Sequence, residues 1–91
     1  MDEGTRYLVG ELERLLSLRP SSEREIEAWY VESQRVQQEL QTRFPELVFP
    51  REVFHFLADA DIRSQDADYC QHQERFIKDY VQRAREDDVV S

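Results

Sequence analysis

The chain has 91 residues, a formal net charge of −8, 35% charged side chains, two glycines and three prolines. This length predicts one domain spanning residues 1–91, and so few glycines and prolines leave little material for the turns of a β-sandwich. The acidic balance argues against nucleic-acid binding, which needs a basic face to displace counterions, and against an anionic membrane surface.

The spacing of apolar residues predicts an all-α fold, a small bundle of four helices. Three helices, with an irregular third element, are the alternative. The predicted ranges are about 5–18, 22–44, 50–62 and 66–86. The acidic last residues, 86–91, are predicted to fray.

Capping residues mark the predicted helix starts. Thr5 is the predicted N-cap of the first helix. Ser22 stands three residues before Glu25, which is the pattern of a capping box: the serine oxygen accepts a backbone N–H, and the glutamate reaches back to the serine's own N–H. Asp66 or Asp68 is the predicted cap of the last helix.

Residues 54–72 contain both histidines, the one cysteine and four aspartates. His55 and Asp59 are four residues apart, as are Asp68 and His72, and an antiparallel hairpin would bring the two pairs level. Such a set could hold Zn²⁺, so a metal-binding or metal-sensing protein is one alternative function. However, at about 100° per residue both pairs point away from the apolar helix faces. We therefore interpret the stretch as a turn with acidic caps and expect no cofactor.

Catalysis is not expected. Cys70 and His72 are two residues apart on a predicted helix and face different ways. A cysteine nucleophile would need a histidine within hydrogen-bond reach. The sequence also has no glycine-rich phosphate loop and no nucleophile elbow.

The compartment is indicated by cysteine usage. A single cysteine rules out an internal disulfide and predicts a reducing, cytoplasmic location. No secretion signal begins the chain, and no apolar run approaches the roughly 20 residues that span a bilayer. Eleven arginines against one lysine are typical of a GC-rich bacterial genome.

Residues 44–56 carry four of the five phenylalanines. One interpretation is that this segment crosses the bundle and buries its rings in different neighbours. The other is an exposed aromatic surface that anchors a protein partner. That surface would consist of Phe49 and Phe54, with Arg51 and His55 at its rim.

Helix two offers a second contact surface. One face fits a short heptad seam that could join a homodimer, although the simpler interpretation is that this face is core. The seam positions are Ile26, Trp29, Ser33, Val36, Leu40 and Arg43. A structural homo-oligomer built on helix two is thus the second alternative function.

The leading hypothesis is a soluble, non-catalytic protein–protein interaction module. The net charge of −8 favours a basic partner, because long-range attraction speeds encounter. One form of this hypothesis is an acidic inhibitor, immunity protein or antitoxin that covers a basic effector surface.

Overall fold

The computed structural model describes residues 1–90, with side chains described through residue 87. Across residues 1–90 the chain forms α-helices and no strand, so the predicted all-α class is confirmed. The helices are α1 (Glu3–Ser17), α2 (Glu23–Arg43), α3 (Arg51–Ala58), α4 (Ala60–Gln65) and α5 (Ala67–Val90). α1 packs against both α2 and α5, and so do α3 and α4.

The predicted third helix, 50–62, is two helices, and the break falls at Asp59. The backbone there has φ −117° and ψ 28°, outside the helical region. Hydrogen bonds from other helices hold the break: the Tyr69 hydroxyl donates to the Asp59 carboxylate at 2.6 Å, and the Tyr30 hydroxyl lies 3.0 Å from the Ala58 carbonyl. Contacts distant in sequence therefore end α3.

The helix starts differ from prediction in detail. The N-cap of α1 is Asp2, whose carboxylate accepts the Thr5 N–H at 2.7 Å, so the prediction of Thr5 as the cap is wrong. Ser22 caps α2 as predicted, because its hydroxyl oxygen accepts the Glu25 N–H at 3.2 Å. The Glu25 carboxylate accepts the Ser21 N–H at 3.0 Å, one residue earlier than the capping box predicts.

α5 follows Asp66, whose carboxylate accepts the Tyr69 N–H at 3.1 Å. This is the hydrogen bond expected of Asp66, one of the two predicted caps of this helix. The helix continues to Val90 and so enters the range 86–91. The fraying predicted there stays a prediction, and Ser91 lies outside the described residues. Within residues 1–90, no helix carries an apolar stretch long enough to cross a membrane.

The core is one cluster of apolar side chains drawn from every helix. Its buried members are Leu8, Val9, Leu12, Leu15, Trp29, Val36, Leu40, Val53, Phe56, Leu57, Ala60, Ile77 and Val81. Four of the six positions predicted as a dimer seam on α2 are buried in this core: Trp29, Ser33, Val36 and Leu40. The Ser33 hydroxyl donates to the Leu57 carbonyl at 2.7 Å, whereas Ile26 is half-buried and Arg43 is exposed. Those four side chains are therefore used for packing within the chain, as the simpler interpretation of this face expects.

Candidate functional site

The segment between α2 and α3 presents two stacked rings at the surface. Phe49 precedes α3 and Phe54 lies within it. The ring centroids are 6.2 Å apart and the planes are 16° from parallel. Phe54 is 50% exposed, and Val48 is 89% exposed. We call Val48, Phe49 and Phe54 the aromatic patch.

The phase of α3 turns Phe54 outward. Val53 and Phe56 are buried in the core. At about 100° per residue, Phe54 lies about 100° around the helix from Val53 and about 160° from Phe56. The start of α3 is set by Pro50, whose carbonyl accepts the Val53 N–H at 3.0 Å and whose missing N–H costs nothing there. The exposure of Phe54 thus follows from where the helix begins.

A cavity of about 260 Å³ opens beside the aromatic patch. At about 30 Å³ for each water molecule, it has room for a large apolar side chain. Apolar groups form most of its wall, and two glutamine amides can hydrogen-bond a partner's backbone. The lining residues are Gln37, Leu40, Gln41, Phe44, Pro45, Leu47, Phe49, Phe54 and Leu57.

Two predicted rim residues, Arg51 and His55, are exposed on α3 beside Phe54. Within the described residues, Arg51 makes no hydrogen bond or ion pair. The His55 Nδ1 lies 3.9 Å from an oxygen of Asp59, a long contact of the kind that contributes little at a surface. Both side chains are therefore placed to meet a partner at the edge of the aromatic patch.

The four predicted metal ligands do not form a metal site. The Asp59 carboxylate accepts a hydrogen bond from the Tyr69 hydroxyl. Of the other three predicted ligands, only His55 contacts it, at 3.9 Å. Asp68 and His72 are exposed on α5. Within residues 1–87, whose side chains the structure describes, no group of three or more His, Cys, Asp or Glu side chains could hold a metal ion. The geometry therefore gives the metal-binding alternative no support.

Sequence reasoning missed a closed cluster around Arg63. Its guanidinium carbon lies 4.8 Å from the ring centre of Trp29 and 4.3 Å from that of Phe56. Its Nη1 donates to the Phe56 carbonyl and to the Gln73 side-chain oxygen, each at 2.7 Å. Burial lowers the pKa of Arg63, and the ring contacts and charged hydrogen bonds offset the lost hydration. We call Trp29, Phe56 and Arg63 the arginine cluster.

A polar network supports the arginine cluster from α5. Gln73, only 7% exposed, donates to the Tyr69 hydroxyl oxygen at 2.9 Å, and that hydroxyl donates to Asp59. The hydrogen bond to Asp59 raises the pKa of Tyr69. One sign of this network was present in the sequence, because Gln73 stands four residues before Ile77 on the apolar face of α5.

The environment of Cys70 disfavours the thiolate. Burial raises its pKa, and the nearby carboxylate of Glu74 raises it further. A nucleophilic or metal-binding cysteine needs the opposite shift. The half-buried thiol thus has the character of a packing group.

Comparison with family models, with curated proteins and with solved structures found no match to this chain.

Proposed function

We propose that this protein is a non-catalytic protein-binding module that contacts a basic partner through the aromatic patch. The observation that carries the proposal is the exposed Phe54 ring, which stacks on the half-buried Phe49 ring beside an apolar cavity. Burying such a surface contributes about 25 cal/mol for each Å² of apolar area. Aromatic side chains next to a cavity are also the residues that dominate binding energy at interfaces.

Charge supports a basic partner. Residues 20–68, which include the aromatic patch, hold eleven acidic and five basic side chains, while the rest of the chain holds nine and seven. The half that presents the patch therefore carries most of the net negative charge. Attraction to a basic protein would speed encounter, and salt would screen it beyond about 8 Å at physiological ionic strength.

The proposal extends to cellular context. A single free cysteine fits a reducing, cytoplasmic compartment, and the arginine-rich composition fits a bacterial source. In such a cell the role is that of an acidic inhibitor, immunity protein or antitoxin that covers a basic effector surface.

The test is a pull-down from the source lysate with three baits: the unaltered chain, Phe54→Ala and Val31→Ala. Val31 is 64% exposed on α2 and lies outside the aromatic patch, so it controls for loss of an exposed apolar side chain. We expect a basic protein that is retained by the unaltered chain and by Val31→Ala, lost with Phe54→Ala, and released as salt is raised.

Several results would overturn the proposal. The patch would not be the contact surface if Phe54→Ala retained the same protein as the unaltered chain. An acidic partner, or binding indifferent to salt, would refute the electrostatic part. Thermal melts should show that both variants fold, because each side chain is at least half exposed and its truncation costs less than about 1 kcal/mol.

A further inference from the structure

A second cavity lies on a different face of the bundle, between the end of α1 and the second half of α5. It is an open groove of about 830 Å³, within the range of about 300–1,000 Å³ that is typical of small-molecule sites. We call it the α1–α5 groove. Its lining residues are Glu13, Leu16, Ser17, Arg19, Lys78, Val81, Gln82, Arg85 and Glu86.

The floor of the α1–α5 groove is apolar. Val81 is buried in the core, and Leu16 packs against the core while remaining partly exposed. The α5 positions that line the groove recur at three- and four-residue steps, so they form one continuous helix face. From Lys78 to Glu86 this face extends about 12 Å at 1.5 Å per residue.

The two ends of the α1–α5 groove differ in charge. At one end Arg85 is paired with Glu13, while the Glu86 carboxylate accepts a hydrogen bond from the neutral side chain of Gln82 at 3.0 Å. At the other end Arg19 lies 3.4 Å from Glu74, which is one helical turn before Lys78.

The unpaired positive charge of the α1–α5 groove belongs to Lys78. Within residues 1–87, its ammonium group pairs with no carboxylate. The end of the groove near Arg19 therefore carries an unneutralised cation beside an apolar floor.

We propose that the α1–α5 groove binds a small amphipathic carboxylate, with its aliphatic chain over Leu16 and Val81 and its carboxylate at Lys78. An apolar floor with one free cation at an end is complementary to a ligand with an apolar body and one anionic group. The net charge of the chain does not prevent this, because charges farther than about 8–10 Å are screened at ordinary salt. This site is separate from the aromatic patch and does not depend on the function proposed for it.

The test titrates the full chain with three probes below their micelle concentrations: dodecanoate, dodecyltrimethylammonium and acetate. Amide NMR shifts map the site, and calorimetry gives the affinity. We expect saturable dodecanoate binding with shifts centred on residues 13–19 and 78–86. Acetate lacks the apolar body and the ammonium probe lacks the anion, so both should bind at least about tenfold more weakly, the equivalent of 1.4 kcal/mol.

Matched variants test the assigned residues. Lys78→Glu should weaken dodecanoate binding about tenfold or more, the scale of a lost charge-assisted contact. Arg83→Glu makes the same charge change at an exposed position of α5 outside the groove. It lies about 140° around the helix from Lys78, so it should change affinity less than about twofold. Gln82→Trp should fill the groove and block the probe.

The results of these experiments test the α1–α5 groove independently of the aromatic patch. Equal affinity for the two dodecyl probes would overturn the proposal, as would dodecanoate shifts centred on residues 48–57. Equal losses in Lys78→Glu and Arg83→Glu would reduce the effect to net charge and refute the site. Each altered side chain is exposed, so thermal melts should show that all variants fold.

Discussion

Two phenylalanines that are two residues apart on α3 have opposite environments. Phe56 is 2% exposed and meets Trp29 edge to face, with ring centroids 5.5 Å apart and planes at 82°. Phe54 is 50% exposed and stacks on Phe49. Arg63 covers the Trp29 and Phe56 rings. No described side chain covers the exposed half of Phe54.

The difference shows that an aromatic pair has a structural or a binding role according to what covers it. The arginine cluster is closed by a cation with satisfied hydrogen bonds, so its rings contribute to the stability of the fold. The aromatic patch leaves apolar area in water, and that area can contribute free energy only when a partner buries it.

Truncating each ring tests the difference in burial between Phe56 and Phe54, and it has the largest expected effect on stability. Phe56→Ala should destabilise the chain by about 3–5 kcal/mol, because it leaves a cavity in the core. Phe54→Ala should cost less than about 1 kcal/mol, because half of the ring is already exposed. Urea denaturation followed by circular dichroism measures both. Equal costs would mean that the two rings are equally buried in solution.

Removing the cation tests the closed region directly. Arg63→Ala should cost about 2–3 kcal/mol, because it leaves the Phe56 carbonyl and the Gln73 amide without a charged donor. Arg51→Ala, at the rim of the aromatic patch, should change the free energy of unfolding by less than about 0.5 kcal/mol. The measurement is again urea denaturation.

A third variant separates packing from hydrogen bonding. Arg63→Met restores much of the side-chain volume but no donor, so its stability should fall between that of Arg63→Ala and that of the unaltered chain. If Arg63→Met were fully stable, the hydrogen bonds would contribute nothing, and the arginine cluster would be a packing feature alone.

Two tyrosine variants test whether the polar network next to the arginine cluster stabilises the fold. Tyr69→Phe removes the hydroxyl that joins Asp59 to Gln73 and should cost about 1 kcal/mol. Tyr7→Phe is the control, because the Tyr7 hydroxyl oxygen is buried and has no hydrogen-bond partner among the described residues. Its removal should leave the melting temperature unchanged or raise it. A loss of stability in Tyr7→Phe would mean that its hydroxyl is bonded in solution.

The smallest expected effect is at the outer edge of the closed region. The Tyr30 hydroxyl donates to the Asp61 carboxylate at 2.7 Å, and this bond lowers the pKa of Asp61. A lowered folded-state pKa stabilises the fold above the unfolded-state pKa and loses that contribution as pH falls through the folded value. Stability measured from neutral pH into acid should therefore decline less in Asp61→Asn than in the unaltered chain. Asp79→Asn, at an exposed position without a described bond, should follow the unaltered curve.

The helix faces could be predicted because they depend on spacing along one helix. Ser22 and Asp66 could be predicted as caps because they act within one turn. The break at Asp59 could not, because no proline or glycine marks it and the bonds that hold it come from other helices.

Arg63 belongs to the stretch, residues 54–72, that the sequence predicts to be a turn with acidic caps, and nothing within a few residues distinguishes it from the other arginines. Its partner Trp29 is distant in the chain, so the contact exists only after α2 and α4 pack together. For the same reason the choice between a buried and an exposed aromatic segment could not be made from the sequence: residues 44–56 do both, with Phe56 inside and Phe54 outside.

The short helices have one more consequence. α3 has eight residues and α4 has six, and isolated helices below about 12–15 residues are marginal in water. The surface that carries Phe54 is therefore displayed only while the long helices hold it in place. A protein that binds this surface would select the intact chain over any partly opened form. It would raise the melting temperature increasingly as its free concentration exceeds the Kd, and it would slow amide exchange throughout the bundle.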